Sequence, residues 1–342
     1  MRRLTLIAVF LALALTACNL PAAFQTDSAS TPTPGLPATQ TPIPTPLPGA
    51  PLGTDANPIV MAVPPSSGRE LSDAARDVAA QLSSLTGLVI VPYAPVSYTE
   101  VVEALGAGRV HIAWLPPFPY LLAHEKSRAD AALATVVLGR DLSAAWFLVN
   151  QRMVDERKFT VYFDSATGNN LADAATALQQ FTDKKPCWTD PYSPTGYVVP
   201  FGTLNENGIP TRLGAFVQGH ATVIKSLYQD PKGEICQFGA TIADRQVFIA
   251  AGYEDAAERV VVVWQTEAIV PFDGVAYAES LPDDMRLSVS SALLVMIQTE
   301  EGNAALRDAF QIDGLKLIDD TFYNALRQML EQSGLDLSTL VR

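Results

Sequence analysis

Basic charge is scarce in this chain. Lysine and arginine number 23 against 36 aspartates and glutamates, a formal balance of −13 at neutral pH. No basic run relieves the deficit, so the cationic surface that nucleic acid requires is missing. Histidine and cysteine are equally sparse, three of each. His111, His124 and His220 form no His-x-His or His-x₃-His pair, and no Cys-x₂-Cys occurs, which removes the usual zinc frameworks. A Gly-x-Ser-x-Gly elbow and a phosphate-binding P-loop are also absent, and with them common signatures of hydrolases. Gly106-Ala107-Gly108 looks like a fragment of a dinucleotide fingerprint, but it follows a helix-like run and reads as a helix end. We therefore expect no metal, no cofactor and no catalysis.

Long apolar runs are lacking too. Met1-Arg2-Arg3 precedes a largely apolar stretch at residues 4–15, shorter than the ~20 residues of a membrane span. It ends in Leu15-Thr16-Ala17-Cys18, which resembles a bacterial lipobox. The resemblance implies a leader over residues 1–18, with Cys18 carrying the lipid that tethers the mature protein to a membrane. Loss of Arg2 and Arg3 makes the mature form more acidic by two charges. Residues 19–57 are rich in Pro, Thr and Ala, with almost no charge and one aromatic, Phe24. Such a stretch buries too little apolar area to offset its ordering entropy and reads as a disordered linker. As polyproline II, residues 31–51 would reach about 65 Å. With Cys18 lipidated, Cys187 and Cys236 remain as a pair in an oxidising compartment. They form either a disulfide or two buried thiols.

What remains is rich in apolar residues, 48% over the whole chain. Roughly 285 residues follow Asn57, enough for one large domain or two ordinary ones. Strand-like runs (residues 58–63, 88–93, 110–115 and 131–138) alternate with helical periodicity. Over residues 70–85, Leu71, Ala74, Ala75, Val78, Ala79 and Leu82 share one face. Alternation of this kind predicts an α/β fold with mostly parallel sheets. Residues 146–150 and 260–264 are candidate strands crossing to a second lobe. Residues 153–180 are polar and broken at Gly168-Asn169-Asn170, with no assigned role. The tail from Met285 is helical. The expected arrangement is a leader (1–18), a linker (19–57), a first lobe (58–145 with 266–342) and a second lobe (146–265), joined by two crossing strands as a hinge.

One loop points to chemistry. Asp190-Pro191-Tyr192-Ser193-Pro194-Thr195-Gly196-Tyr197 joins a strand to a helix. A helix start leaves backbone N–H groups unpaired and adds partial positive charge. Ser193 and Thr195 add hydroxyls, and Gly196 permits close approach. This is a setting for a small oxyanion, or an ordinary capped turn.

In order along the chain, Val63-Pro64-Pro65-Ser66, the block from Tyr98 through Gly108 to Phe118-Pro119-Tyr120, this loop, Gln218-Gly219-His220 and Gly239-Ala240-Thr241-Ile242-Ala243-Asp244 resemble the phosphate/phosphite/phosphonate binding-protein family of ABC importers, in its lipoprotein form. The resemblance implies a two-lobe type II periplasmic-binding-protein-like fold. A phosphorus oxyanion is clamped between its lobes and passed to an ABC permease, by a monomer outside the cytoplasm. Ser193, Thr195 and Gly196 would hold its oxygens, His220 would donate, and Tyr98 and Tyr120 would close from the first lobe. Asp244 would accept from a protonated oxygen or a ligand amine. Each residue also has a plain structural reading, as a core-edge tyrosine or a helix cap. Pro194 departs from the family pattern and removes one backbone N–H. Other roles for the same fold are a sensor feeding a signalling partner, or a receptor for an organic sulfonate or a vitamin precursor.

Overall fold

The computed structural model of the protein describes residues 43–65 and 71–342. Cys18 and Ser66 lie outside the described residues, as do the leader and the linker to residue 42. Four strands open the first lobe: β1 (Ile59–Ala62), β2 (Ile90–Tyr93), β3 (Ile112–Leu115) and β4 (Ala129–Val136). Helices α1 (Asp73–Thr86), α2 (Tyr98–Gly106) and α3 (Pro117–Glu125) separate them. β1 pairs in parallel with both β2 and β3.

The second lobe is a five-stranded sheet of β5 (Ala145–Asn150), β6 (Pro186–Trp188), β7 (Ala215–Phe216), β8 (Phe238–Ile242) and β9 (Val260–Gln265), in the order β7-β6-β8-β5-β9. Helices α4 (Val199–Glu206) and α5 (His220–Gln229) follow β6 and β7. The chain then returns through β10 (Gly274–Ala278) and β11 (Gly314–Leu317), completing a six-stranded first sheet ordered β11-β4-β10-β3-β1-β2. Helices α6 (Asp283–Met296) and α7 (Glu300–Phe310) pack on α1, and α8 (Asn324–Ser333) packs on α4 of the second lobe. Within these two sheets every antiparallel pairing involves β5, β10 or β11, the strands formed where the chain has changed lobe or is returning.

Strand periodicity divides each lobe into two cores. Along β1, Ile59 and Met61 face one apolar cluster while Val60 and Ala62 face the other. In β5, Trp146 and Leu148 oppose Phe147 and Val149 in the same way. Both faces of each sheet are covered, so these strands read as unbroken apolar runs. α1 shows how the periodicity becomes a helix. Ser72 Oγ accepts from Ala75 N at 3.1 Å, Ala75, Val78, Ala79 and Leu82 are buried, and Gly87 ends it at φ 70°.

Two expectations shift, and one stretch without an assigned role gains one. The linker to residue 57 ends sooner. Asn57 Nδ2 donates to Ala50 O, Val89 N donates to Gly53 O, and Leu52 packs on the first lobe's core. The lobe crossing is not made by residues 146–150 and 260–264, which are the paired strands β5 and β9 of the second sheet. It runs beside them, where Leu142–Ser143 pairs antiparallel with Val270–Pro271 and Ser143 Oγ donates to Val270 O at 3.2 Å. Residues 153–180 cover the outer edge of β9. Tyr162 N donates to Val263 O and Asn170 brackets Gln265, while Phe159, Phe163 and Leu178 are buried. An exposed edge strand templates association, and this segment caps it. Cys187 and Cys236 are joined by a disulfide with Cα atoms 5.5 Å apart.

Candidate functional site

The loop after β6 is built by its own side chains. Asp190 Oδ1 accepts from Tyr192 N at 2.9 Å, and Ser193 Oγ accepts from Gly196 N at 3.0 Å. A π-helical turn, Pro194–Val198, then leads into α4. Such turns are rare and occur frequently at functional sites. Gly196 is required by contact. A Cβ there would lie 2.0 Å from Thr189 Oγ1.

Parallel pairing brings the next motif alongside. Val217 N donates to Trp188 O and Gln218 N to Thr189 O at 2.7 Å, after which Gly219 turns at φ 125°, a region favouring glycine. His220 opens α5, and its Nδ1 accepts from Ile242 N at 3.1 Å. The neutral ring therefore carries its proton on Nε2 and can donate. Burial pulls the His220 pKa down, and the Asp190 carboxylate partly opposes this. Burial in turn pushes the Asp190 carboxyl up, against the pull of His220 and Arg342. Ser193, Thr195, Gly196 and His220 thus gather with Asp190 at the carboxyl ends of β6 and β7, where ligands of α/β sheets sit.

The first lobe contributes the start of α2. Ser97 Oγ caps it, accepting from Glu100 N at 3.1 Å. Tyr98 follows, its phenol pushed up by burial and by the nearby Asp273. Asp273 precedes β10 at the carboxyl end of β3, and burial raises its pKa to about 6. Arg342 links the lobes. Its carbonyl accepts from Tyr98 N at 2.6 Å and Thr99 N at 3.1 Å, and its guanidinium lies 3.6 Å from the centre of the Tyr192 ring.

Two expected residues make contacts of their own. Tyr120 is 1% exposed, packs at a tilt against Tyr323 and donates to Asp320 Oδ1 at 2.9 Å. Asp244 Oδ1 accepts from Gln246 N at 2.9 Å, starting a short helix beyond β8. Asp190, Tyr192, Asp273 and Arg342 were not singled out from sequence. Asp190 and Tyr192 stood within the loop motif, but Asp273 and Arg342 sit in stretches with no local pattern. A cavity of about 720 Å³ is lined by Arg140, Trp146, Phe163, Arg245 and Phe248, and by no residue of the Asp190–Tyr197 loop.

Residues 60–323 match the family described as ABC transporter, phosphonate, periplasmic substrate-binding protein. The chain belongs to this family. The family is that of the periplasmic substrate-binding components of phosphonate ABC transporters. Among curated relatives, the phosphate-import protein PhnD of Mycolicibacterium smegmatis is 24% identical over 148 residues, 43% of this chain. The chain spans 41% of the length of that relative. Solved structures share the two-lobe type II fold. XAC2383 of Xanthomonas citri, bound to ATP, is 15% identical with TM-score 0.60, covering 81% of this chain and 96% of that one. PhnD1 of Prochlorococcus marinus, in complex with methylphosphonate, is 13% identical with TM-score 0.56, covering 81% and 98%.

Proposed function

We propose that the protein captures a phosphorus oxyanion, a phosphonate, phosphite or phosphate, between its lobes and hands it to an ABC permease. The observation that carries this reading is the Asp190–Gly196 loop with His220 at the carboxyl ends of β6 and β7, in a chain matched to the family over residues 60–323. Ser193 and Thr195 hydroxyls and His220 Nε2 supply neutral donors, Tyr98 closes from the first lobe, and Asp244 accepts from a protonated oxygen or a ligand amine. A carboxylate at such a site discriminates, because it repels an anion with no proton to share. Tyr120 supports the first lobe from inside, through Asp320.

In the same reading, residues 58–145 with 266–342 form one lobe and 146–265 the other. The sheet membership of their strands supports this division, with β5 starting one residue earlier at Ala145. Cys18 carries the lipid anchor, the linker holds the lobes off the membrane, and the protein works as a monomer.

The test is thermal unfolding of the purified protein with phosphate, phosphite, methylphosphonate, 2-aminoethylphosphonate, sulfate and taurine. A ligand at 100 times its dissociation constant adds about 2.7 kcal/mol and raises the midpoint by several degrees. A shift with a phosphorus anion is expected. A shift with taurine or sulfate alone, or with none of the panel, sinks the reading.

A further inference from the structure

The loop that would hold the anion is poor in free donors. Pro194 has no N–H. The Tyr192 N–H is taken by Asp190 Oδ1 and the Gly196 N–H by Ser193 Oγ. His220 is held towards its neutral form by burial, and Asp190 brings a carboxyl to the same place. An oxyanion entering here meets hydroxyls and a carboxyl, with little positive charge from the loop itself. Buried charge without a counter-charge is costly.

Arg342 lies beside this deficit. Its guanidinium stacks on Tyr192, inside the loop, 3.6 Å from the ring centre. Among the described residues, no aspartate or glutamate forms an ion pair with it, and only the Asp190 carboxyl feels its charge from farther off. Its backbone is fixed from the opposite lobe. The Arg342 carbonyl accepts from Tyr98 N and Thr99 N, and Thr99 Oγ1 donates to Val341 O at 3.4 Å. Leu340 and Val341 are 5% and 9% exposed, and Asp336 Oδ1 accepts from Ser338 N to shape the turn before them. The arginine is therefore delivered to the loop by an anchored segment.

We propose that Arg342 is a ligand-binding residue that supplies the cation the Asp190–Tyr197 loop lacks. A guanidinium stacked on an aromatic face keeps its edge N–H groups free, and that edge matches two oxygens of a phosphorus oxyanion. Because its main chain is held by α2 and its side chain by the second lobe's loop, Arg342 binds ligand and joins the two lobes in one contact. The inference rests on the oxyanion reading above.

The test is calorimetric titration of phosphate and methylphosphonate into the wild-type protein and into Arg342→Gln, Arg342→Lys and Tyr192→Leu. Loss of a charged hydrogen-bond pair should weaken binding in Arg342→Gln by roughly ten- to hundredfold. Its unliganded unfolding midpoint should fall only slightly, since the guanidinium makes no ion pair and gives up only the Tyr192 ring contact and the weaker pull on Asp190. Arg342→Lys should recover part of the affinity, and Tyr192→Leu should lose affinity while keeping the charge. Binding should also depend less on salt in Arg342→Gln than in wild type. If wild type binds and Arg342→Gln binds equally or more tightly, the role of Arg342 is overturned while the oxyanion reading stands. If wild type binds neither these anions nor phosphite, both fall.

Discussion

The Cα of Gly196 packs so closely on Thr189 that a methyl group on it would lie 2.0 Å from Oγ1 and 2.4 Å from Cγ2. Thr189 is fully buried, and its N–H donates to Gly196 O at 3.2 Å, so neither partner can retreat without opening the loop. Gly196→Ala should cost about 3 kcal/mol, at the upper end for overpacking. Thr189→Ala removes the two nearest atoms, so Gly196→Ala combined with Thr189→Ala should recover part of that loss. Urea unfolding of the two single variants and the double variant measures the coupling. Strictly additive losses would show that the contact is not what excludes a side chain.

Ser193 and Asp244 should separate under mutation. Ser193 Oγ caps the turn through Gly196 N, so Ser193→Ala should lower stability by about 1 kcal/mol and also weaken the proposed oxyanion binding. Asp244 caps only the Gln246 end of a short exposed helix. Asp244→Asn keeps an acceptor for that cap while removing the charge, so it should leave the unliganded midpoint in place. It should reduce the ligand-induced shift, most of all for ligands carrying an amine or a protonated oxygen. Thermal unfolding with and without 2-aminoethylphosphonate reads both effects, and an undiminished shift in Asp244→Asn would remove that residue from the site.

The lobes were legible because their signals are local. The α1 face, the Gly87 stop and the strand runs repeat at fixed short spacing, and each maps onto buried positions. The Ser193–Gly196 turn was legible for the same reason. What failed to show was long-range. Nothing near Arg342 in sequence announces Tyr98 or Tyr192, because the pairing is made by folding the tail across α2. Tyr120 carries the right residue type in the right block. Whether its hydroxyl faces a cleft or Asp320 depends on where the 3₁₀ turn Asp320–Tyr323 docks. The crossing was misplaced by a few residues because the β-branched run Val260-Val261-Val262-Val263 is the stronger strand signal. The short Leu142–Ser143 and Val270–Pro271 pair is too brief to show periodicity.

The disulfide joins β6 to the segment just before β8, two strands already paired through Phe238 with Pro186 and Gly239 with Cys187. It closes a loop with sequence separation 49, for which chain entropy gives about 4 kcal/mol of stabilisation. Replacing both cysteines by alanine should lower the urea midpoint markedly, yet leave a folded protein, since the strand pairing persists. Two thiols titrating in the native wild-type protein without reductant would contradict the bond.

Two buried groups in the first lobe titrate in opposite senses. His111 Nδ1 accepts from Val60 N at 3.0 Å, and burial lowers its pKa from 6.5 to about 4. The unfolded chain binds this proton first as pH falls. The stability that neutral His111 contributes is thus present above pH 6.5 and lost progressively towards pH 4, about 3 kcal/mol in all. Asp273 has its pKa raised from 3.8 to about 6 by burial. The folded state binds its proton first, so its contribution is present below pH 3.8 and is lost as pH rises through 6. Between pH 6 and 4 the two effects oppose each other, and the wild-type unfolding midpoint should vary little there on their account. Asp273→Asn removes the compensating group. It should raise stability near pH 7 by about 3 kcal/mol, an advantage that disappears by pH 4, so the variant should lose stability steeply across that window. His111→Gln should give the converse profile, gaining stability on acidification. Unfolding midpoints at half-unit pH steps for the three proteins decide the matter: parallel profiles would mean that neither group carries its burial cost into the folded state.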